Sequence, residues 1–420
     1  MDVANLTSTS SGIVPPHDPG PNWQRRYWAV FTGQAFSLVG SALTQFVLLW
    51  WITDTTGSVS ALAAAGMVAL LPQALLGPLG GTLADRWDRR VIMIAADAVS
   101  ALCMLVLIAL FLTNAVELWH LYTMMFVRSS MQAFQQPAAA ASTAMLVPES
   151  FLSRAAGLNQ TLAGIMTVAA APLGALAISV MPIGYALGID VLTAVIGILP
   201  LLVYSIPQIK AAPDKAGGLW QEFLEGVRVV WNNPALLRLY GLIGAVVLII
   251  MPSFTLVPLL VKQHFNGGAV EVAWIESIGG IGMIAGGLLV TVVSPKKRVM
   301  WILGGFAISC LSLALMALAP AKMFALAIAW WALSGVAYIA GNAPFMALLQ
   351  SLVPNQLQGR VLSLLSTIMG LAAPVGLALA TPLGEVLGIR WLFVTLGILG
   401  GVVTLLGFLS PIIRRVEQSR

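Results

Sequence analysis

Two ionisable residues of this chain sit where ionisable residues are costly to place. Arg128 lies about nine residues into an apolar stretch over 119–142, and Asp97 about seven residues into another over 90–112. Arginine at the centre of a bilayer costs about 2.5–3.5 kcal/mol on insertion scales and must face a partner or a water-filled cavity. Antiparallel neighbours would bring the two residues to similar depth, so Asp97 is the expected partner of Arg128. Desolvation favours a neutral carboxyl group and a nearby guanidinium favours a carboxylate. A pair that opens and closes can therefore load and release a proton. Glu276, at the head of a stretch over 272–293, and Asp190, near the outer end of 184–205, are rival acids. No metal chemistry is expected. Cys103 and Cys310 each stand alone inside an apolar segment, without the clustered spacing of a metal site or a disulfide framework.

Weaker polar groups accompany these charges. Gln34, Ser37, Ser41, Thr44 and Gln45 recur at helical spacing along an otherwise apolar segment. Such a stripe faces a cavity or another helix rather than lipid. Gln132, Gln135 and Gln136 follow Arg128, and a later segment carries Trp330, Trp331 and Asn342. A chamber lined by Gln34, Ser37, Ser41, Gln45, Gln132, Gln135, Trp330, Trp331 and Asn342 suits a large amphipathic ligand better than a small ion. No Walker A phosphate loop occurs, so neither ATP nor another cofactor is expected. The chemistry these residues could do is the loading and release of a proton, and the chain is not expected to be an enzyme.

The elements that position these residues follow from composition. Of 420 residues, 59% are hydrophobic and 9% charged, against about 25% charged in soluble domains. A span needs about 20 apolar residues. Twelve candidates are legible, at 28–52, 59–84, 90–112, 119–142, 155–180, 184–205, 238–262, 272–293, 299–319, 323–349, 361–384 and 391–411. When they are threaded from a cytoplasmic N-terminus, all but four of the 21 Lys and Arg face the cytoplasm. Lys262, Lys322 and Arg390 lie at outer ends, and Arg128 lies inside. That asymmetry is the positive-inside pattern. The net charge of +5 is thus topological, and a nucleic-acid partner is not expected. The bilayer is the partner, with both termini in the cytoplasm.

Residues 1–24 are polar and rich in Ser, Pro and Gly, the composition of a disordered tail. The one long polar interruption, 206–237, spaces Leu219, Trp220, Phe223, Leu224, Val227, Val230 and Trp231 as a helix would. It reads either as an amphipathic helix on the membrane surface or as a linker helix packed on the protein. It separates a bundle over 25–205 from one over 238–420, and these halves repeat. Val147-Pro148 and Arg154 recur as Val353-Pro354 and Arg360 at an offset of 206, and Pro137 recurs as Pro344. Ala171-Pro172-Leu173-Gly174 resembles Ala373-Pro374-Val375-Gly376. Duplicated six-span halves with a midplane site are a transporter architecture. The fold class is therefore all-α, with twelve transmembrane helices in two pseudo-symmetric bundles of six.

The turn Gly81-Thr82-Leu83-Ala84-Asp85-Arg86-Trp87-Asp88-Arg89-Arg90 resembles the loop of the major facilitator superfamily between its second and third spans, with Asp88 where many members have glycine. The resemblance implies a latch of Gly81, Asp85, Arg89 and Arg90 that holds the cytoplasmic side closed against span eleven. It also matches Arg128 to the superfamily's span-four arginine, associated there with proton coupling. Gly33-Gln34-Ala35, Thr56-Gly57-Ser58, Leu71-Pro72, Gly77-Pro78, Ala96-Asp97, Met251-Pro252, His264-Phe265-Asn266-Gly267 and Gly359-Arg360-Val361 look like the macrolide-efflux branch. That branch implies a proton-driven antiporter of the cytoplasmic (inner) membrane that exports hydrophobic compounds as a functional monomer. The span-five Gly-Pro antiporter motif stands here in the departed form Ala170-Ala171-Pro172. Export of an endogenous metabolite such as a siderophore is the second transport reading. A non-transporting scaffold that binds a partner through the linker is the reading of another class.

Overall fold

A computed structural model describes residues 19–208, 227–353 and 355–411. Twelve long helices fill these residues. They are α1 (Trp23–Thr56), α2 (Val59–Arg86), α3 (Arg89–Leu112), α4 (Leu118–Leu146), α5 (Glu149–Val180) and α6 (Ile183–Val203), then α7 (Pro234–Phe265), α8 (Ala269–Val293), α9 (Arg298–Leu318), α10 (Phe324–Leu352), α11 (Asn355–Leu387) and α12 (Ile389–Gly407). Several outrun the expected spans. α1 starts at Trp23 rather than 28, and α7 at Pro234 rather than 238. Amphipathic first turns extend these helices beyond the apolar run that hydropathy detects. The core of the expected linker helix lies outside the described residues; what is described of it, 227–231, is helical, with Val230 buried and Trp231 exposed.

Eleven helices are long and apolar enough to cross a membrane. The exception is α4, which carries Arg128, Ser129, Ser130, Gln132, Gln135 and Gln136. These residues lower its hydropathy because it serves the interior, where Arg128 and Ser129 are buried. Polar residues also start the helices. Ser58 accepts from the Ala61 N–H to cap α2, and Asp88 from the Arg90 N–H to cap α3, which satisfies otherwise orphaned donors.

Helices α1–α6 pack chiefly on one another, as do α7–α12. The two sets meet along α2–α11 and α5–α8, with lesser contact of α1 and α2 on α7. Prolines shape several packing seams. Pro137 removes the N–H that would pair with the Ala133 carbonyl four residues back. Gly80 of α2 lies so near that oxygen that a β-carbon would collide with it. Pro252 likewise frees the Leu248 carbonyl, against which Gly376 of α11 packs. Pro172 frees the Val168 carbonyl, and here the neighbour is a donor. Ser277 Oγ of α8 lies 2.9 Å from that oxygen, across the boundary between halves. Small and hydroxylated neighbours therefore cover backbone that hydrocarbon could not satisfy.

Cross-half hydrogen bonds gather at the end opposite the chain termini. There Lys262 Nζ lies 2.9 Å from Asp54 Oδ1 and also reaches the Thr53 and Asp54 carbonyls at the close of α1. Gln263 donates to the Gly57 carbonyl at 2.6 Å. Glu385 accepts from the Ser60 N–H at 2.9 Å and from the Ser60 and Ser58 hydroxyls. A cation on a helix C-terminus and an anion on a helix N-terminus both follow the peptide dipoles. Asp54 and Glu385 are thus tied to the other half although exposed. The glycines toward the termini-bearing end of α2 and α5 have open space beside them. A β-carbon at Gly77 or Gly81 of α2, or at Gly157 or Gly164 of α5, would meet nothing within 4 Å.

Candidate functional site

α1, α3, α4 and α6 bring the ionisable residues together. Arg128 and Asp190 are both buried, at 4% and 3% exposure. Arg128 Nη1 lies 3.3 Å from Asp190 Oδ2, and Nη2 lies 3.5 Å from Oδ1. Ser41 Oγ donates to Asp190 Oδ1 at 3.4 Å, and the Met104 sulfur lies 3.9 Å from Arg128 Nη1. The expected Arg128–Asp97 pair is therefore corrected: the partner of Arg128 is Asp190. α6 lies against both α1 and α3, which carries Asp190 inward to a guanidinium at similar depth. The close approach of α1 to α6 depends on Gly40. A β-carbon there would collide with Thr193 Oγ1 and come within 3.0 Å of the Asp190 Cα.

Asp97 is also buried, but its neighbours are amides. Gln135 Nε2 lies 2.5 Å from its Oδ1, and Gln34 Nε2 3.4 Å from its Oδ2. Gln135 also donates to the Gln34 side-chain oxygen at 3.3 Å. Gln34 and Ser41, two turns apart on α1, thus touch the two acids separately. Gln34 reaches the Gly197 carbonyl of α6 at 3.4 Å, two turns from Asp190. The arrangement holds one carboxylate against a guanidinium and a second among neutral donors. A charge-assisted pair is the stronger interaction, so the two acids have different reasons to keep or take a proton.

This network borders a cavity of about 360 Å³ inside the first half. Gln34, Ser37, Ser41, Gln132 and Gln135 line it, with Gln136, which accepts from Gln73 at 2.8 Å. Tyr27, Phe31, Met93, Thr143 and Asn159 complete the wall. Sequence reasoning did not single these out. Tyr27 and Phe31 continue the Gln34 stripe one and two turns back on α1, and that continuation was the available signal. The Tyr27 hydroxyl is buried with no hydrogen-bond partner.

Other expected members lie elsewhere. Gln45 and Glu276 border a separate cavity of about 230 Å³ between the halves, so the stripe on α1 serves two chambers. Trp331 is 4% exposed and packs against Gly279 of α8 and Phe254 of α7, at 5.3 Å between rings. Trp330 is partly buried against the same core. Asn342 has a buried side-chain oxygen without a partner. None of these three borders either of these two cavities. Trp331 fills the recess that Gly279 leaves.

Of the expected latch residues, Gly81 and Asp85 stand in the last turns of α2, and Arg89 and Arg90 open α3. Asp85 is 64% exposed on its side chain, and among the described residues its ion pair is with Arg89, at 3.6 Å. Arg89 donates to the Ala84 and Ala141 carbonyls, and Arg90 to the Leu202 carbonyl at 2.6 Å. The two arginines therefore bind late carbonyls of α2, α4 and α6 and tie the first half together at this end. Among the described residues no cluster of His, Cys, Asp and Glu is arranged for a metal.

Comparison with known proteins places this geometry. The family model of the Major Facilitator Superfamily matches residues 30–376. Macrolide efflux protein A of Streptococcus pyogenes is 32% identical over 403 residues, which cover 94% of this chain and 98% of that protein. The multidrug efflux pump Tap of Mycolicibacterium fortuitum is 22% identical and is matched over 90% of this chain and 93% of its own length. Among solved structures, a mutant of the nucleoside transporter NupG superposes with a TM-score of 0.73 at 11% identity, covering 92% of this chain and 99% of that one. That last likeness concerns the fold alone.

Proposed function

The chain belongs to the major facilitator superfamily, in its macrolide-efflux branch, and from that premise we propose that it is a proton-driven antiporter exporting hydrophobic or amphipathic, macrolide-like compounds across the cytoplasmic membrane. It is a multi-pass membrane transporter, not an enzyme. The observation that carries the coupling proposal is the pair of buried acids, Asp190 on Arg128 and Asp97 on two glutamines, at the wall of one cavity.

In this mechanism the carrier opens to the cytoplasm with its outer end clasped by Lys262 and Glu385. A lipophilic compound enters between the halves and contacts the Gln34, Ser37, Gln132 and Gln135 wall. Asp97 exchanges the proton, because among the described residues no cation forms an ion pair with it. Gln34, which touches Asp97 and the Gly197 backbone, passes the change to the α1–α6 seam beside Asp190. Arg128 and Asp190 keep that seam closed throughout. Both termini stay cytoplasmic, one chain suffices, and the gradient replaces a cofactor.

Everted membrane vesicles test this reading. With labelled macrolide and an imposed pH gradient, uptake is expected for the native chain and should collapse with an uncoupler. Asp97→Asn is expected to remove the gradient's effect while equilibrium ligand binding persists. Gradient-driven uptake that survives Asp97→Asn would move the proton to Asp190. Iron-chelator secretion without macrolide uptake would favour the metabolite exporter. Absence of any flux in proteoliposomes, with a partner retained on the linker, would favour the scaffold.

A further inference from the structure

Glu276 takes no part in the network described above. From α8 it faces the cavity of about 230 Å³ between the halves, opposite Gln45, Phe46 and Trp50 of α1 and Pro258 of α7. Among the described residues no group donates a hydrogen bond to its carboxylate and no cation pairs with it. The cations within reach of neighbouring helices are engaged elsewhere. Arg128 holds Asp190, and Lys262, about one turn beyond Pro258, holds Asp54.

An acid in an apolar recess with no counter-charge is costly to ionise, so it holds a proton until a counter-charge arrives. The recess is shaped for one. Aromatic rings attract cations through their quadrupole, and Phe46 and Trp50 are among the lining residues. Gln45 adds a neutral polar group for orientation. Cavities that enclose a whole drug-sized ligand span about 300–1,000 Å³, so this smaller one takes one end of a ligand. We propose that the Glu276 cavity binds the cationic head of an otherwise apolar ligand, a quaternary or protonated tertiary amine, as a site separate from the Gln34–Gln135 wall. Its place in export rests on the transport reading above, but the binding itself does not.

The test is equilibrium titration of the full chain in lipid nanodiscs, without any gradient, against an empty-nanodisc reference. The probes are phenylpropyltrimethylammonium and its uncharged isostere, in which carbon replaces the quaternary nitrogen. The native chain is expected to bind the ammonium at least tenfold tighter than the isostere. Glu276→Gln should erase that preference, Glu276→Asp should keep part of it, and Trp50→Leu should weaken ammonium binding several-fold. Glu276→Gln removes an unpaired acid, so its melting temperature is expected to match or exceed the native value. A preference that persists in Glu276→Gln would overturn the proposal. So would a preference lost in Asp190→Asn and kept in Glu276→Gln. Failure of proton-driven export would leave this measurement unaffected, so the two readings can fall separately.

Discussion

The two halves solve the same packing problem with different chemistry at matching places. At the offset of 206 that aligns the repeated Val-Pro pairs, Arg128 corresponds to Ser334 and Cys103 to Ser309. In the second half those serines bond to each other, with their hydroxyls 3.0 Å apart. Asp97 corresponds to Leu303, Asp190 to Leu396, Ser41 to Val247 and Gln135 to Gly341. Each charged member of the first-half network thus corresponds to a serine or a leucine in the second, while the amide Gln34 corresponds to Tyr240. The fold closes without intramembrane charge, as α7–α12 demonstrate apart from Glu276 at their boundary. The charges of α1–α6 are therefore carried for something other than folding.

That contrast can be broken most forcefully at Arg128. Removing one partner of a buried ion pair leaves the other uncompensated and costs about 3–5 kcal/mol. Arg128→Ala is expected to lower the melting temperature in detergent sharply and abolish export, whereas Arg128→Ala with Asp190→Ala should recover stability without export. If the double variant exports, the pair is structural and the contrast between halves loses its functional meaning.

Gly40→Val comes next. It forces α1 away from Thr193 and Asp190, and overpacking of this kind costs about 1–3 kcal/mol. Thr193→Ala in the same chain is expected to return part of the lost thermal stability. Asp97→Asn should change stability little, because an amide still bonds Gln34 and Gln135. Its effect is expected in transport, as an export rate that no longer follows the pH gradient. Smallest of all is Ser334→Ala at the counterpart of Arg128. It loses a hydrogen bond worth about 0.5–1.5 kcal/mol, and drug export in cells should stay at the native level. A large transport defect there would mean that the second half also couples.

The helices, the two-fold repeat and the depth of each charge were legible in the sequence, because hydropathy and periodicity report position along a helix axis. Neighbour choice was not. Asp97 and Asp190 both reach the level of Arg128, and only the packing of α6 on α1 decides between them. Gln34, Ser37, Ser41, Gln132 and Gln135 were found because cavity-lining residues repeat along one helix face. Trp331 packs into the core, which its sequence position could not reveal, since mid-span aromatics look alike whether they line a chamber or fill a core. The deciding residue, Gly279, stands on another helix. The latch motif was readable, but whether it is engaged depends on how far apart α2 and α11 stand.

Ser277 has one hydroxyl proton and two carbonyls within reach. Val168 of the opposite half lies 2.9 Å away, and Ala273 on its own helix lies 2.7 Å away. Rotation about a single bond moves that proton between them. When α5 and α8 slide or part, no donor is stranded in hydrocarbon. The Val168 oxygen, already released by Pro172, has no helical bond to lose. Giving up that bond costs only a side-chain torsion, a picosecond-to-nanosecond event, so the polar groups of this seam can exchange partners far faster than helices move.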